Sequence, residues 1–138
     1  MNKDFFEIEY KIYYEDTDFN GSVYHANYFK FAERARTELL LANNISQKIL
    51  FDEYRLTFAM RKQDIQYLKP LVFEEIVKIS TRILKINKAS FDFEQILSVN
   101  GENRAIINSN IVCVNHQFKP VRVPNFIIDK LKIHSSFV

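Results

Sequence analysis

The stretch YYEDTDFNGSVYHANYF, Tyr13 to Phe29, concentrates the side chains of this chain that are best suited to chemistry. It holds three acids (Glu15, Asp16 and Asp18), a histidine (His25) and four tyrosines within 17 residues. A carboxylate can act as a general base or as a nucleophile, and a histidine beside it can position or move a proton. Each residue also has an ordinary structural role. An isolated acid ahead of a helix is more often a cap, a histidine is more often a hydrogen-bonding strut, and a spacing of seven between Asp18 and His25 does not by itself make a contact. The chain has only two glycines, Gly21 and Gly101. Gly21 falls between the acids and the histidine, where a residue free to adopt positive φ lets the chain turn sharply. Such a turn delivers Asp18 and the start of the following helix to one place.

Other sources of chemistry are scarce. There is no GxSxG elbow. The single cysteine, Cys113, falls within a predicted strand among apolar neighbours, so it reads as a small packed residue and no intramolecular disulfide can form. Asp16, Asp18 and His25 are conceivable metal ligands, yet no HxxxH or CxxC spacing accompanies them, so no metal site is expected. The net charge of +2 is dispersed, which argues against nucleic acid as a partner. No run approaches the length of apolar chain that crosses a membrane. The start, MNKDFFEIEYKIYYED, lacks the apolar core of a secretory signal, and a cytoplasmic location is the expectation.

The elements that must position these residues follow from periodicity. Phe6, Ile8, Tyr10, Ile12 and Tyr14 alternate with Glu7, Glu9 and Lys11, the pattern of a half-buried strand. On that reading the Tyr14 ring ends the core-facing set. Asp16 to Ser22 reads as a loop. Tyr28, Ala32, Ala35, Leu39 and Ala42 then recur at helical spacing, with Lys30, Glu33, Arg34, Thr37 and Glu38 opposite. Phe29, Phe31 and Leu40 widen the apolar arc, so the helix should be embraced by its partner. Asn43-Asn44 ends it, and SQKILFDE predicts a further short turn of helix. Leu56, Phe58 and Met60 alternate, and the apolar set then shifts by one to Ile65 and Tyr67, which predicts a bulge near residues 61–64. Val77 to Ile83, Phe91 to Val99 and Ala105 to Cys113 give three more strands, with turns at NKAS and NGEN. After a break at KPVRVP, NFIIDKLKI predicts a short terminal helix. The 138 residues suit one domain, an α+β layer in which an antiparallel meander curves around one long central helix.

Tyr13 to Leu40, YYEDTDFNGSVYHANYFKFAERARTELL, resembles the 4-hydroxybenzoyl-CoA thioesterase family of the hotdog fold, and within it the YbgC type associated with the bacterial Tol–Pal envelope system. MRKQDIQYLKP and KPVRVP carry weaker echoes. Phe19-Asn20-Gly21-Ser22 departs from the paired glycines common in close relatives, with Gly21 retained. The resemblance implies hydrolysis of an acyl-CoA thioester by a homodimer or homotetramer, with the active site at the subunit interface near the N-terminus of the central helix. By motif position it places the catalytic carboxylate on Asp18, an assisting His on His25 and an assisting Tyr on Tyr14.

A thioester is already an activated acyl group, so its hydrolysis needs a base or nucleophile and donors for the developing oxyanion. Asp18 is the economical choice for the first. The backbone N–H groups of Tyr24 and His25, near a helix N-terminus, suit the second. Coenzyme A, as part of substrate and product, would bring phosphates, and Arg61, Lys62, Lys69, Lys119 and Arg122 are candidates to meet them. No separate cofactor is expected. Acyl-carrier protein is an alternative acyl donor. Two other functions compete: hydration or dehydration of an acyl thioester, with Asp18 and His25 as an acid–base pair, and a non-catalytic scaffold in a cell-envelope or lipid-synthesis complex.

Overall fold

The computed structural model describes residues 5–132. Strand β1 (Phe6–Lys11) leads through a 3-10 turn (Tyr14–Asp16) and a loop to helix α1 (Asn27–Ala42). A short helix, α2 (Gln47–Tyr54), precedes strands β2 (Thr57–Tyr67), β3 (Ile76–Ile86), β4 (Ser90–Val99) and β5 (Glu102–Val114), and helix α3 (Asn125–Lys132) follows them. The expectation for the terminal helix includes Ile133, which lies outside the described residues.

The five strands form one antiparallel sheet in the order β1-β3-β4-β5-β2. Only β3, β4 and β5 make the expected meander. Strand β2 does not pair with β3; it crosses to the far edge and pairs with β5. The reason lies in the connection 68–75, which is too long for a hairpin turn and instead runs across the end of the sheet beside the loop that precedes α1. The predicted bulge is present: the β2–β5 register shifts between Met60 and Lys62. Asn100 and Gly101 both take positive φ at the β4–β5 hairpin, as a tight two-residue turn requires.

Helix α1 lies in the curve of this sheet. At its N-terminal half, Tyr28, Phe31, Ala32 and Ala35 pack on Val77, Ile79, Leu97 and Ile107. At its C-terminal half, Leu39 and Leu40 share a second cluster with Phe91, Phe93, Ile111 and Ile127. Each large apolar side chain buried there contributes about 1.5–3 kcal/mol. Ala32 and Ala35 are fully buried, and their small side chains let the helix come close to the sheet. Ala42, expected on the buried face, is exposed instead, because the helix ends there: Asn43 closes it and Asn44 turns away with φ of 60°.

Candidate active site

The loop between β1 and α1 is fixed by its own short side chains. The Asp18 N–H donates to the Ser22 carbonyl (3.0 Å), and the Gly21 N–H donates to the Asp18 carbonyl (3.1 Å). One Asp18 carboxylate oxygen accepts the Asn20 N–H at 3.1 Å, and the Asn20 side chain accepts the Ser22 N–H at 3.1 Å. These are successive turns of the type in which an acid or amide bonds its own backbone two residues on. The half-buried Asp18 therefore keeps its second carboxylate oxygen without a partner among the described residues.

Gly21 is required here for two reasons. Its φ is +86°, a region that other residues enter only at a cost. A Cβ on it would also sit 3.1 Å from Cε1 of Phe73. Phe73 belongs to the β2–β3 connection, which holds the loop from outside. The Phe73 N–H reaches the Gly21 carbonyl (3.3 Å), the Val23 N–H donates to the Leu71 carbonyl (2.8 Å), and the Glu74 N–H donates to the Ile12 carbonyl (2.7 Å). From the helix side, the buried Tyr28 hydroxyl accepts the Leu71 N–H at 3.0 Å.

Arg104 on β5 holds that connection in turn. Its guanidinium donates to the Pro70 carbonyl (2.7 Å) and makes a bidentate pair with Glu75 at 2.9 and 2.8 Å. Its carbonyl accepts the N–H groups of Leu68 and Lys69. The hydrogen bonds from Arg104 hold the Glu75 carboxyl below the usual carboxylate range, and Glu75 raises Arg104 reciprocally. Asp18 is thus supported by a chain of contacts that runs from Arg104 through 68–75 to Gly21.

The sequence-predicted residues fall in distinct places. Asp16 is tied into the turn: one carboxylate oxygen, Oδ2, accepts the Tyr13 N–H at 2.9 Å and the other, as in Asp18, has no partner among the described residues, while its carbonyl accepts the Asn27 side chain at 2.8 Å and the Tyr24 N–H at 3.3 Å. The N–H of Tyr24 is therefore already engaged, whereas that of His25 has no partner among the described residues. Both lie in the turn just ahead of α1, which begins at Asn27. The exposed His25 ring stacks obliquely on Tyr24 at 4.5 Å, and its carbonyl accepts the Tyr67 hydroxyl at 3.0 Å. Tyr14 does not end the core face of β1, as its spacing suggests. The strand stops at Lys11 and the chain winds into the 3-10 turn. Tyr14 is consequently 66% exposed, with its ring edge-on to Phe73 at 5.4 Å. Among the described residues, the side chains of Asp18, His25 and Tyr14 share no hydrogen bond.

The five basic candidates divide by position. Strand β2 runs from Thr57, opposite Val114, to Tyr67, opposite Ala105. The Tyr67 hydroxyl on the His25 carbonyl marks the Ala105 end as the end where Asp18 lies. Lys69 is at that end, paired with Glu102 at 2.9 Å. Arg61 stands exposed at the bulge and Lys62 beside it. Lys119 and Arg122 are exposed beyond β5, at the opposite end of the sheet. Burial raises the Cys113 thiol pKa, in keeping with an inert packed residue. Among the described residues, no three His, Cys, Asp or Glu side chains gather as a metal-binding group.

A cavity of about 380 Å³ opens between α1, α2 and the β2 side of the sheet. Phe29, Leu40, Phe58, Phe91, Phe93 and Ile111 supply apolar wall, and Lys30, Glu33, Arg36 and Gln63 supply polar groups. Its volume falls in the range of small-molecule sites. Sequence reading did not single out Arg36, Gln95, Phe73, Glu75 or Arg104. Two left a signal. Arg36 lies four residues after Ala32 on the buried side of α1, and Gln95 interrupts the apolar alternation Phe91, Phe93, Leu97, Val99.

The thioesterase-like superfamily model matches residues 13–131. The acyl-CoA thioester hydrolase YbgC of Escherichia coli is 38% identical over 135 residues, 96% of this chain and 99% of that protein. The acyl-CoA thioesterase YbgC of Haemophilus influenzae is 35% identical over 86% of this chain and 88% of that protein. Among solved structures, a probable thioesterase from Bartonella henselae superposes with a TM-score of 0.84 at 31% identity, over 87% of this chain and 99% of that one. With a five-stranded hotdog sheet curved on a central helix and this similarity along nearly its whole length, the chain belongs to the thioesterase-like superfamily and, within it, to the YbgC family of thioester hydrolases.

Proposed function

We propose that the chain hydrolyses acyl-CoA thioesters to a free acid and coenzyme A, with Asp18 as the reacting carboxylate. The observation that carries this reading is the pairing, at one end of α1, of a carboxylate oxygen on Asp18 and a His25 N–H that nothing in the described chain satisfies. The His25 N–H would hold the thioester carbonyl oxygen as it gains negative charge. Asp18 would either take the proton from an attacking water or attack the carbonyl carbon itself; in both routes the carbon–sulfur bond breaks and the thiolate leaves to be protonated, and in the second route water then hydrolyses the acyl–Asp18 anhydride to free the acid and restore the carboxylate. The His25 side chain would assist by positioning the carbonyl or handling that proton, and Tyr14 by orienting Asp18 through its hydroxyl. No cofactor beyond the substrate's own coenzyme A is proposed, and the reaction is placed in the cytoplasm.

The reading includes a homodimer joined through the free edge of β2. Antiparallel pairing of two β2 edges about a two-fold axis is isologous. It sets the Tyr67 end of one strand against the Thr57 end of the other. The N-terminus of one α1, with Asp18 and His25, then faces the cavity of its partner. The same operation carries the partner's Lys119 and Arg122 to the end where Asp18 sits, within range of coenzyme A phosphates together with Arg61 and Lys62.

The experiment is a thiol-release screen across short, long and aromatic acyl-CoAs, run beside an enoyl-CoA followed by its absorbance. Free thiol appearing in step with free acid is the expected result. Loss of enoyl absorbance without thiol would reassign the site to hydration.

A further inference from the structure

One charged side chain in the cavity has no part in the thioester chemistry just described. Arg36 projects from α1 and is only 8% exposed, and it contributes to the cavity wall. One of its terminal nitrogens, Nη1, donates to the Gln95 side-chain oxygen at 3.0 Å. Gln95 is fully buried and cannot turn away, because its amide nitrogen donates to the Ala32 carbonyl at 2.8 Å and to the Thr81 hydroxyl at 3.0 Å. The guanidinium is therefore held in one orientation by a network that spans α1, β4 and β3.

That network satisfies little of it. A guanidinium carries five N–H donors, and among the described residues Arg36 makes this one hydrogen bond and no ion pair. Glu33, one turn back on α1, also lines the cavity and acts on Arg36 electrostatically, but it is exposed and not bonded to it. Burial lowers the Arg36 pKa, yet a guanidinium keeps its charge in proteins. A buried cation with unused donors is costly unless an acceptor completes it. Around it stand Phe58, Phe91, Phe93 and Ile111. The cavity thus has this apolar wall beside a polar side carrying Lys30, Glu33 and Gln63, and Arg36 is its one buried, preset guanidinium fork; a planar carboxylate is the group that fits such a fork in two parallel bonds.

We infer that this cavity receives the acyl group, and that Arg36 is a specificity residue binding a carboxylate at the acyl group's far end, so that ω-carboxylated acyl thioesters are the preferred substrates. The inference rests on the thioester-hydrolysis reading above. It names the substrate class through a residue that the hydrolysis itself does not need.

The test compares kcat/KM for a medium-chain acyl-CoA with that for its ω-carboxylated counterpart of equal chain length. The native protein should favour the carboxylated substrate by about 10-fold to 100-fold, the range of a charge-assisted bidentate contact, with the difference carried mainly by KM. In Arg36→Met that ratio should collapse to about one, and Arg36→Lys, a point charge without the fork, should restore part of it. Native protein that hydrolyses the plain chain equally well or better overturns the inference even if no variant folds, and would assign Arg36 to a structural acceptor such as a partner-chain carboxylate. An Arg36→Met protein that folds and slows both substrates by the same factor also overturns it. Failure to release thiol from either substrate contradicts the hydrolysis reading instead.

Discussion

At the scale of single residues, the loop 16–25 assigns different work to chemically similar groups. Asp16 is a structural acid: its side chain and carbonyl tie the 3-10 turn to the start of α1. Asp18, two residues on, is held by its backbone and by one carboxylate oxygen; each acid keeps its other oxygen without a partner among the described residues, and the proposed chemistry falls to that of Asp18. The family motif in the sequence ranks Asp18 first, and the hydrogen bonds do not by themselves separate the two, since each carboxylate accepts one backbone N–H. The sequence did show why Gly21 must separate them from the helix; the close approach of Phe73 is a tertiary contact with no sequence signature. His25 presents an exposed ring at this loop, so its truncation removes little packing. His25→Ala should fold with a melting temperature near that of the native protein and lose activity about 10²-fold or more. A folded variant with full turnover would return His25 to a purely structural role.

At the scale of elements, what could be read from the sequence was whatever depends on local period. The β1 alternation, the α1 stripe, the β2 bulge and the Asn100-Gly101 hairpin each follow from spacing within one segment. The place of β2 in the sheet did not, because strand order depends on which edge each strand finds, and 68–75 carries no mark of its path. Tyr14 was misread for a related reason: alternation continues past Lys11 in sequence while the backbone leaves the strand. The connection 68–75 matters for function because it supports the Asp18 loop, and Arg104 with Glu75 anchors it. Glu75 is held below the ordinary carboxylate range in the folded state. Its pairing therefore contributes stability that is fully present above the unfolded carboxylate pKa and is lost as pH falls through the lower folded value. The melting temperature should fall with acidification below the ordinary carboxylate pKa. Glu75→Gln should start lower at neutral pH and show a shallower decline. Parallel melting curves for the two proteins across that window would remove Glu75 from this role.

At the scale of the whole molecule, the proposed reading completes the site with a second copy of the chain. Asp18 and His25 stand just ahead of α1, and the cavity runs along the β2 flank of that helix from Phe29 to Leu40. The outer edge of β2, which pairs with no strand among the described residues, invites strand pairing, and the proposed two-fold pairing there would set the partner's cavity beside Asp18 and His25. Sedimentation at micromolar concentration should therefore give a dimer or a dimer of dimers; a monomer that still turns over substrate would contradict the shared site. The central claim, hydrolysis of an acyl-CoA thioester by the Asp18 carboxylate, is tested most directly by thiol release from one acyl-CoA with three proteins: native, Asp18→Asn and Asp16→Asn. Asparagine keeps the size of aspartate and its capacity to accept the loop hydrogen bonds, but not its charge or basicity. The account predicts that Asp18→Asn lowers kcat by about 10²–10⁴-fold with KM little changed, while Asp16→Asn retains most of the native rate. Loss of turnover in folded Asp16→Asn with near-native turnover in Asp18→Asn would contradict it.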